Sequence, residues 1–183
     1  MKKISLPQIL GLSLIIDIII FDQISKWAVM ELILRPELTT DGRGLGFMDW
    51  IMNPPLRMEF ISIPIMPSFN LTMVWNHGVS FGLFRDLGIW PLVIAAAAVS
   101  TIFGFWLMRT KSVFESVALS FVVGGAIGNI IDRFRFGAVA DFLDVYVGSY
   151  HWPAFNIADS AITIGVAMLL VHGLFLKEKD SVE

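Results

Sequence analysis

Cysteine is absent from this 183-residue chain. Its absence excludes disulfides, thiolate metal sites and a cysteine nucleophile. Histidine is scarce too: His77, His151 and His172 are the only three, and their wide separation argues against a histidine-rich metal cluster. Charged residues are only 16% of the chain, against about 25% in ordinary globular proteins. The formal net charge of -3 carries no sign of a nucleic-acid partner. What is abundant is apolar. Hydrophobic residues make up 56%, with a mean hydropathy of +0.73. That composition belongs in a bilayer, and the length allows one domain.

Four apolar runs are long enough to cross a membrane, at about 8–34, 89–108, 113–131 and 157–176. The first has Pro7 where a helix can begin. No cleavage-site pattern of small residues follows it, so it reads as an uncleaved span rather than a secretory signal peptide. Its polar members are Asp17, Asp22, Gln23 and Lys26. Asp22 and Lys26 share a helix face at i and i+4, in the favourable acid-before-base order, and can pair. The pair can be a self-neutralising burial or a support for a polar site near the membrane surface. Asp17 sits nearer midplane without an obvious partner and is expected to face protein rather than lipid. In the second span, Ala95 to Ala98 offer a small-residue surface for close helix packing. In the third, Gly124 and Gly128 form a GxxxG, which serves either helix packing or room for a substrate.

The long region from Glu31 to Leu87 does not span. Five of the eight prolines fall in it, at 36, 54, 55, 64 and 67, and rule out a continuous helix. Its later runs, EFISIPI and FNLTMVW, suit a small sheet at the membrane surface. Trp50, Phe60, Phe69 and Trp75 fit an interfacial aromatic belt. Asn76 to Gly82 follows as a polar tight turn with two glycines, ordinarily a structural element. The expected fold is an all-α membrane protein of four transmembrane helices with a small extracytoplasmic β-rich surface element.

Four spans put both termini on one side. Lys2, Lys3, Arg109, Lys111, Lys177 and Lys179 all lie on that side, which the positive-inside rule makes cytoplasmic. The regions at about 35–88 and 132–156 then share the extracytoplasmic face. That brings the Asn76 turn to the same membrane face as the polar stretch from Gly124 to Ser160, which holds Asn129, Asp132, Arg133, Asp141, Asp144, Asn156 and Asp159. Such groups at the meeting of two spans are costly unless paired, hydrated or in use. Asn156 reads as an N-cap, with Asp159 at N3 beside the positive end of the helix dipole; a plain first-turn carboxylate is the simpler account of it. Asp141 follows the small apolar run Gly137 to Ala140, read as re-entering the membrane boundary. A carboxylate among apolar neighbours resists ionisation, whereas one in a helix's first turn is favoured as the anion. Two carboxylates so differentiated can divide the work of a general base and a protonated polariser, with no serine, cysteine or metal required.

The motifs DQxxK (Asp22 to Lys26), NxGxSF (Asn76 to Phe81), GNxxDR (Gly128 to Arg133), VxDF (Val139 to Phe142) and FNxADS (Phe155 to Ser160) occur in this order relative to the spans. Each is weak alone. Together they make the chain resemble the lipoprotein signal peptidases, or signal peptidase II, from about residue 7 to 176. The resemblance implies an aspartyl endopeptidase of the bacterial inner membrane, monomeric and without cofactor or metal. It would remove the signal peptide of prolipoproteins just before a diacylglyceryl-modified cysteine, with membrane lipid alongside. It implies Asp141 and Asp159 as the catalytic dyad and Asn129 and Arg133 as holders of the substrate. Asn76, Gly78, Asn156, Ala158, Asp22 and Lys26 would support the site. Asp132 is expected to be structural, pairing with Arg133 or Arg135, and Asp144 takes no role from the family. His77 and Val79 depart from the small or hydroxylic residues usual at those positions. Residues 36 to 66 look longer than the matching family segment, and no substrate contact is assigned to them.

Two other classes fit parts of the pattern. A metal-dependent lipid head-group transferase would use Asp132, Asp141 and Asp159 as oxygen ligands for Mg²⁺. A transport or scaffold subunit would use Asp22 and Lys26 as a coupling pair. Neither accounts for Asn76, Asn129, Arg133 and Asn156 in company with Asp141 and Asp159.

Overall fold

The computed structural model describes residues 4–78 and 88–176. The terminal lysines at 2, 3, 177 and 179, and the Val79 to Gly82 part of the glycine turn, lie outside the described residues. Among the described residues, four helices are long and apolar enough to cross a membrane: Leu6–Glu37, Trp90–Leu107, Val113–Phe136 and Ile157–Leu174. The expected fold class of four such helices with a small sheet is met. The chain divides into two compact units. One comprises Met1–Ile20, Ile94–Asn129 and Ala158–Glu183; the other comprises Phe21–Val93 and Ile130–Ile157.

The first unit is helical. It contains the start of α1 (Leu6–Trp27), most of α3 (Trp90–Leu107) and α4 (Val113–Phe136), and α5 (Ile157–Val171) from its second residue onward. Buried Gly11, Ile15 and Ile18 repeat at helical spacing along one face of α1. That face packs where small residues let backbones approach. A Cβ on Gly124 would stand 2.9 Å from Ile18, and one on Gly125 would stand 2.3 Å from the carbonyl oxygen of Ala158. Gly124 therefore serves helix packing. Ser120 Oγ donates to the Gly11 carbonyl at 2.9 Å, satisfying a buried hydroxyl across the same contact. Ile15, Leu107, Leu119 and Val123 form the core.

Two expectations fail in this unit. Ala95, Ala97 and Ala98 are exposed, so the close packing foreseen for α3 is made by α1, α4 and α5 instead. Asp17 is exposed as well. The buried face of α1 is set by positions 11, 15 and 18, which leaves position 17 on the far side of the helix.

The second unit holds a four-stranded antiparallel sheet in sequential order: β1 (Ser62–Met66), β2 (Phe69–Asn76), β3 (Val139–Val147) and β4 (Tyr150–His151). Its core gathers Met30, Leu34, Trp50, Met58, Leu71, Met73, Phe136, Ala140 and Phe142. α1 continues as a π-turn over Ala28–Leu34 and a 3-10 turn over Arg35–Glu37. A short helix, α2 (Phe47–Met52), then carries Trp50 into the core. Trp50 is fully buried, not part of an interfacial belt, and the Arg135 guanidinium lies 3.8 Å from its ring centroid. A cation over an indole face with the ring desolvated is a favourable contact that a free belt residue would lack. The run before Asp141 is likewise not a re-entrant loop. α4 continues to Phe136, Gly137 closes it with φ of 70°, and Val139 opens β3. Only glycine takes that left-handed cap without strain, and a Cβ there would meet Arg57 at 2.6 Å.

Candidate active site

Three carboxylate centres emerge, and strand register explains the first. Asn76 is the register partner of Val139, so Asp141, two residues on, shares its face of the sheet. The chain returns to β3 at Phe155, which exchanges hydrogen bonds with Leu143: Leu143 N–H to the Phe155 carbonyl at 2.8 Å and the reverse at 3.1 Å. That return seats Asn156 next to Asp141. The Asn76 amide donates to Asp141 Oδ2 at 2.9 Å, and the Asn156 amide donates to Oδ1 at 2.7 Å. Each carboxylate oxygen thus receives an amide donor, which orients the group. Asp141 and Asn156 are buried, while Asn76 is exposed. Asn76 is itself held in a turn, since the Gly78 N–H donates to its Oδ1 at 2.7 Å. Gly78 has φ of 79°, a left-handed conformation that favours glycine, and a Cβ there would also push on the end of the Leu92 side chain.

The second centre lies in the helical unit. Asp159 is in the first turn of α5, where the helix dipole favours an anion. The Asn129 amide, from α4, donates to Asp159 Oδ1 at 2.7 Å. Asn129 is buried and Asp159 half-buried. Ala158 is fully buried, and its carbonyl oxygen lies so close to Gly125 that a side chain at position 125 would clash with it. Along the chain, Asn156 and Asp159 are three residues apart, so one short segment carries both a donor to Asp141 and the second carboxylate.

The third centre is an ion cluster in the second unit. Lys26 Nζ stands 2.7 Å from Asp22 and 2.8 Å from Asp132, and all three side chains are shut off from solvent. The expected Asp22 to Lys26 pair is present. The partner of Asp132 is corrected: it is Lys26, because α4 brings Asp132 to the face of α1 that carries Asp22 and Lys26. Gln23 Nε2 donates to both carboxylates, at 3.1 Å to Asp22 and 3.0 Å to Asp132, and its oxygen accepts from Arg135 at 3.0 Å. Asp132 also accepts the Ala140 N–H at 3.1 Å, one residue before Asp141. The ion cluster is therefore the mount on which the start of β3 sits. Arg133 is half-buried near the end of α4.

Sequence reasoning missed a further group. Asp144 accepts from Asn70 at 3.0 Å, Thr72 at 3.1 Å and His151 Nδ1 at 2.7 Å. Burial pushes the Asp144 carboxyl up, but the hydrogen bonds from His151, Asn70 and Thr72 together with the His151 charge outweigh it and leave the group below its ordinary value. The alternation of Asn70 and Thr72 on β2 was the available signal, though pairing them with Asp144 needs the register of β2 against β3. The role of Gln23 was missed for a similar reason, since only the fold brings it between Asp132 and Arg135.

Comparisons with known proteins identify the family. The family model described as signal peptidase (SPase) II matches residues 14–175. A lipoprotein signal peptidase of Rhizorhabdus wittichii is 39% identical over 178 residues, covering 95% of this chain and 91% of that protein. One of Anaplasma phagocytophilum is 46% identical over 114 residues, covering 61% of this chain and 73% of that protein. A solved bacterial membrane enzyme, determined by the in meso method at 2.3 Å, is similar with a TM-score of 0.65 at 25% identity, covering 94% of this chain and 91% of that one. With four helices long and apolar enough to cross a membrane, the family model over most of the chain and these relatives in agreement, the chain belongs to the signal peptidase II family and is a multi-pass bacterial membrane peptidase.

Proposed function

We propose that this chain cleaves the signal peptide from diacylglyceryl-modified prolipoproteins, immediately before the lipidated cysteine, with Asp141 and Asp159 as a dyad that activates water. The observation that carries this reading is the pair of amide donors on Asp141. Asn76 and Asn156 fix both oxygens of one carboxylate, and Asn129 plays the matching part on Asp159. In the reaction the ionised carboxylate takes a proton from water as the oxygen attacks the scissile carbonyl, and the protonated partner hydrogen-bonds that carbonyl oxygen. A proton then passes to the departing amine as the C–N bond breaks, and the dyad returns to its singly protonated form. The shared proton belongs to the pair, whose two titrations are macroscopic.

Arg133 and Asn129 hold the substrate backbone and its lipid-bearing end, while Gly78 and Ala158 keep space beside the carboxylates. Asp22 and Lys26 act at one remove, through Asp132 and the Ala140 N–H. Specificity for the lipidated cysteine comes from burying its acyl chains in a groove between spans, at about 0.8 kcal/mol per CH₂ desolvated. The whole chain works as one membrane peptidase domain of the inner membrane, monomeric and without cofactor. Both termini are cytoplasmic, and the active site is at the extracytoplasmic face formed by residues 35–88 and 132–156. The test is cleavage of a diacylglyceryl prolipoprotein by purified protein in detergent, comparing wild type, Asp141→Asn, Asp159→Asn and wild type with EDTA. Two folded but inactive variants with indifference to EDTA sustain the dyad; normal cleavage by either variant, or loss with EDTA, rejects it.

A further inference from the structure

The segment between α1 and β1 presents an apolar surface that no strand or helix of its own unit covers. Met48 and Met52 on α2 are 68% and 72% exposed, and Leu56 and Phe60 beyond it are 91% and 74% exposed. Side chains of this size gathered on one short segment mark a contact surface. The segment is also firmly held from behind. Trp50 sits in the core, its carbonyl accepts from Arg135, and the Met58 carbonyl accepts from Trp75 Nε1 at 2.9 Å. The buried Glu31 carboxylate takes the Leu45 N–H at 2.9 Å and pairs with Arg35 at 2.5 Å. A surface so anchored is displayed, not waiting to fold inward.

Its depth identifies what it touches. Trp27 Nε1 donates to the Leu45 carbonyl at 2.9 Å, and the Trp27 and Phe47 rings meet edge to face at 5.3 Å. Trp50 shares a cluster with Met30 and Leu34. α2 therefore lies alongside Trp27 to Leu34, the last turns of the first membrane-spanning helix. At that level the outward residues of the span itself, Leu32 and Ile33, are exposed and apolar, as lipid-facing residues are. The exposed apolar residues of α2 and the segment after it lie beside that span end with the exposed charges Asp49, Arg57 and Glu59 among them, an amphipathic mixture, and Asp41 and Arg43 precede them in the connecting loop.

We propose that α2 and the following residues to Phe60 form an interfacial wedge, seated in the headgroup and acyl boundary of the leaflet at the C-terminal end of α1, with phospholipid as its partner. Met52 and Leu56 enter the lipid while Trp50 and Arg135 fix the depth of entry. An apolar surface beside a span end partitions into this zone in the manner of an interfacial amphipathic helix.

The absence of native cysteine makes the test direct. Met52→Cys, Leu56→Cys and, as control, Asp41→Cys are each labelled with bimane and reconstituted in phospholipid nanodiscs, after circular dichroism has matched them to wild type. Lipids brominated on the acyl chains are expected to lower emission about twofold or more at positions 52 and 56 and to leave position 41 unchanged, with aqueous iodide giving the reverse. Iodide quenching at 52 and 56 without bromine quenching would place the surface in water and overturn the proposal. Protection from both quenchers would also overturn it, since it would mean a protein cover such as a second copy of the chain. The readout is independent of peptidase activity.

Discussion

Asp132 and Asp141 are nine residues apart, and both are buried in the same unit, yet their surroundings differ in kind. Asp132 shares Lys26 with Asp22 and receives Gln23 and the Ala140 N–H. Asp141 receives the amides of Asn76 and Asn156. A carboxylate that shares a buried ammonium with a second carboxylate and is tied to backbone is committed to structure, because removing the ammonium leaves buried charge without compensation. One oriented by amide donors on both oxygens is held in place without being tied into the Lys26 cluster, the arrangement that the proposed proton transfer calls for. The two sites are coupled through one residue: Asp132 holds Ala140, and Ala140 precedes Asp141.

The sharpest way to break this contrast is to make Asp141 neutral. Asp141→Asn is expected to lower cleavage about 10³-fold or more while leaving the thermal unfolding midpoint in detergent near that of wild type, and Asp159→Asn is expected to match it. If Asp141 were structural in the way Asp132 is, the same variant would lose its fold first. The converse substitution, Lys26→Met, leaves Asp22 and Asp132 together without their cation. It is expected to destabilise the protein by about 3–5 kcal/mol, seen as a lowered unfolding midpoint, with activity lost only in proportion to folded protein. Activity lost from a fully folded Lys26→Met would move the ion cluster into the chemistry.

Asn76→Ala takes one donor from Asp141 at an exposed position. A fall in kcat of about tenfold to a hundredfold with little change in stability is expected, and a change confined to KM would contradict the orienting role. The smallest effect concerns Asp144. Its carboxyl is held below the ordinary aspartate value, so the stability it contributes is fully present above that value and is lost as pH falls through the lower folded one. Unfolding midpoints measured from pH 7 down to about pH 3 are expected to show a decline at the acid end that Asp144→Asn reduces, without altering cleavage at neutral pH.

Local rules reached far into this chain. Helical spacing predicted the Asp22 to Lys26 pair, the run lengths predicted four spans, and β-branched and aromatic runs predicted a small sheet. The same rules misplaced Trp50, because an aromatic near a span end reads as a belt residue until the fold shows Arg135 over its ring. Asp17 was misjudged because an acid in a span is normally turned inward, whereas here positions 11, 15 and 18 claim the packed face.

What the sequence by itself determined is membrane residence, the absence of thiol chemistry, the order of the motifs and hence the family, each of which depends on composition or on spacing within one element. What only the tertiary structure decided is which polar groups meet. Asn76 and Asn156 reach Asp141 through strand register and the return of the chain at Phe155, and Lys26 reaches Asp132 through the packing of α1 on α4. Those partners lie from 15 to 106 residues apart. No periodicity within one segment can encode such a pairing, because it is set by the closing of the chain on itself.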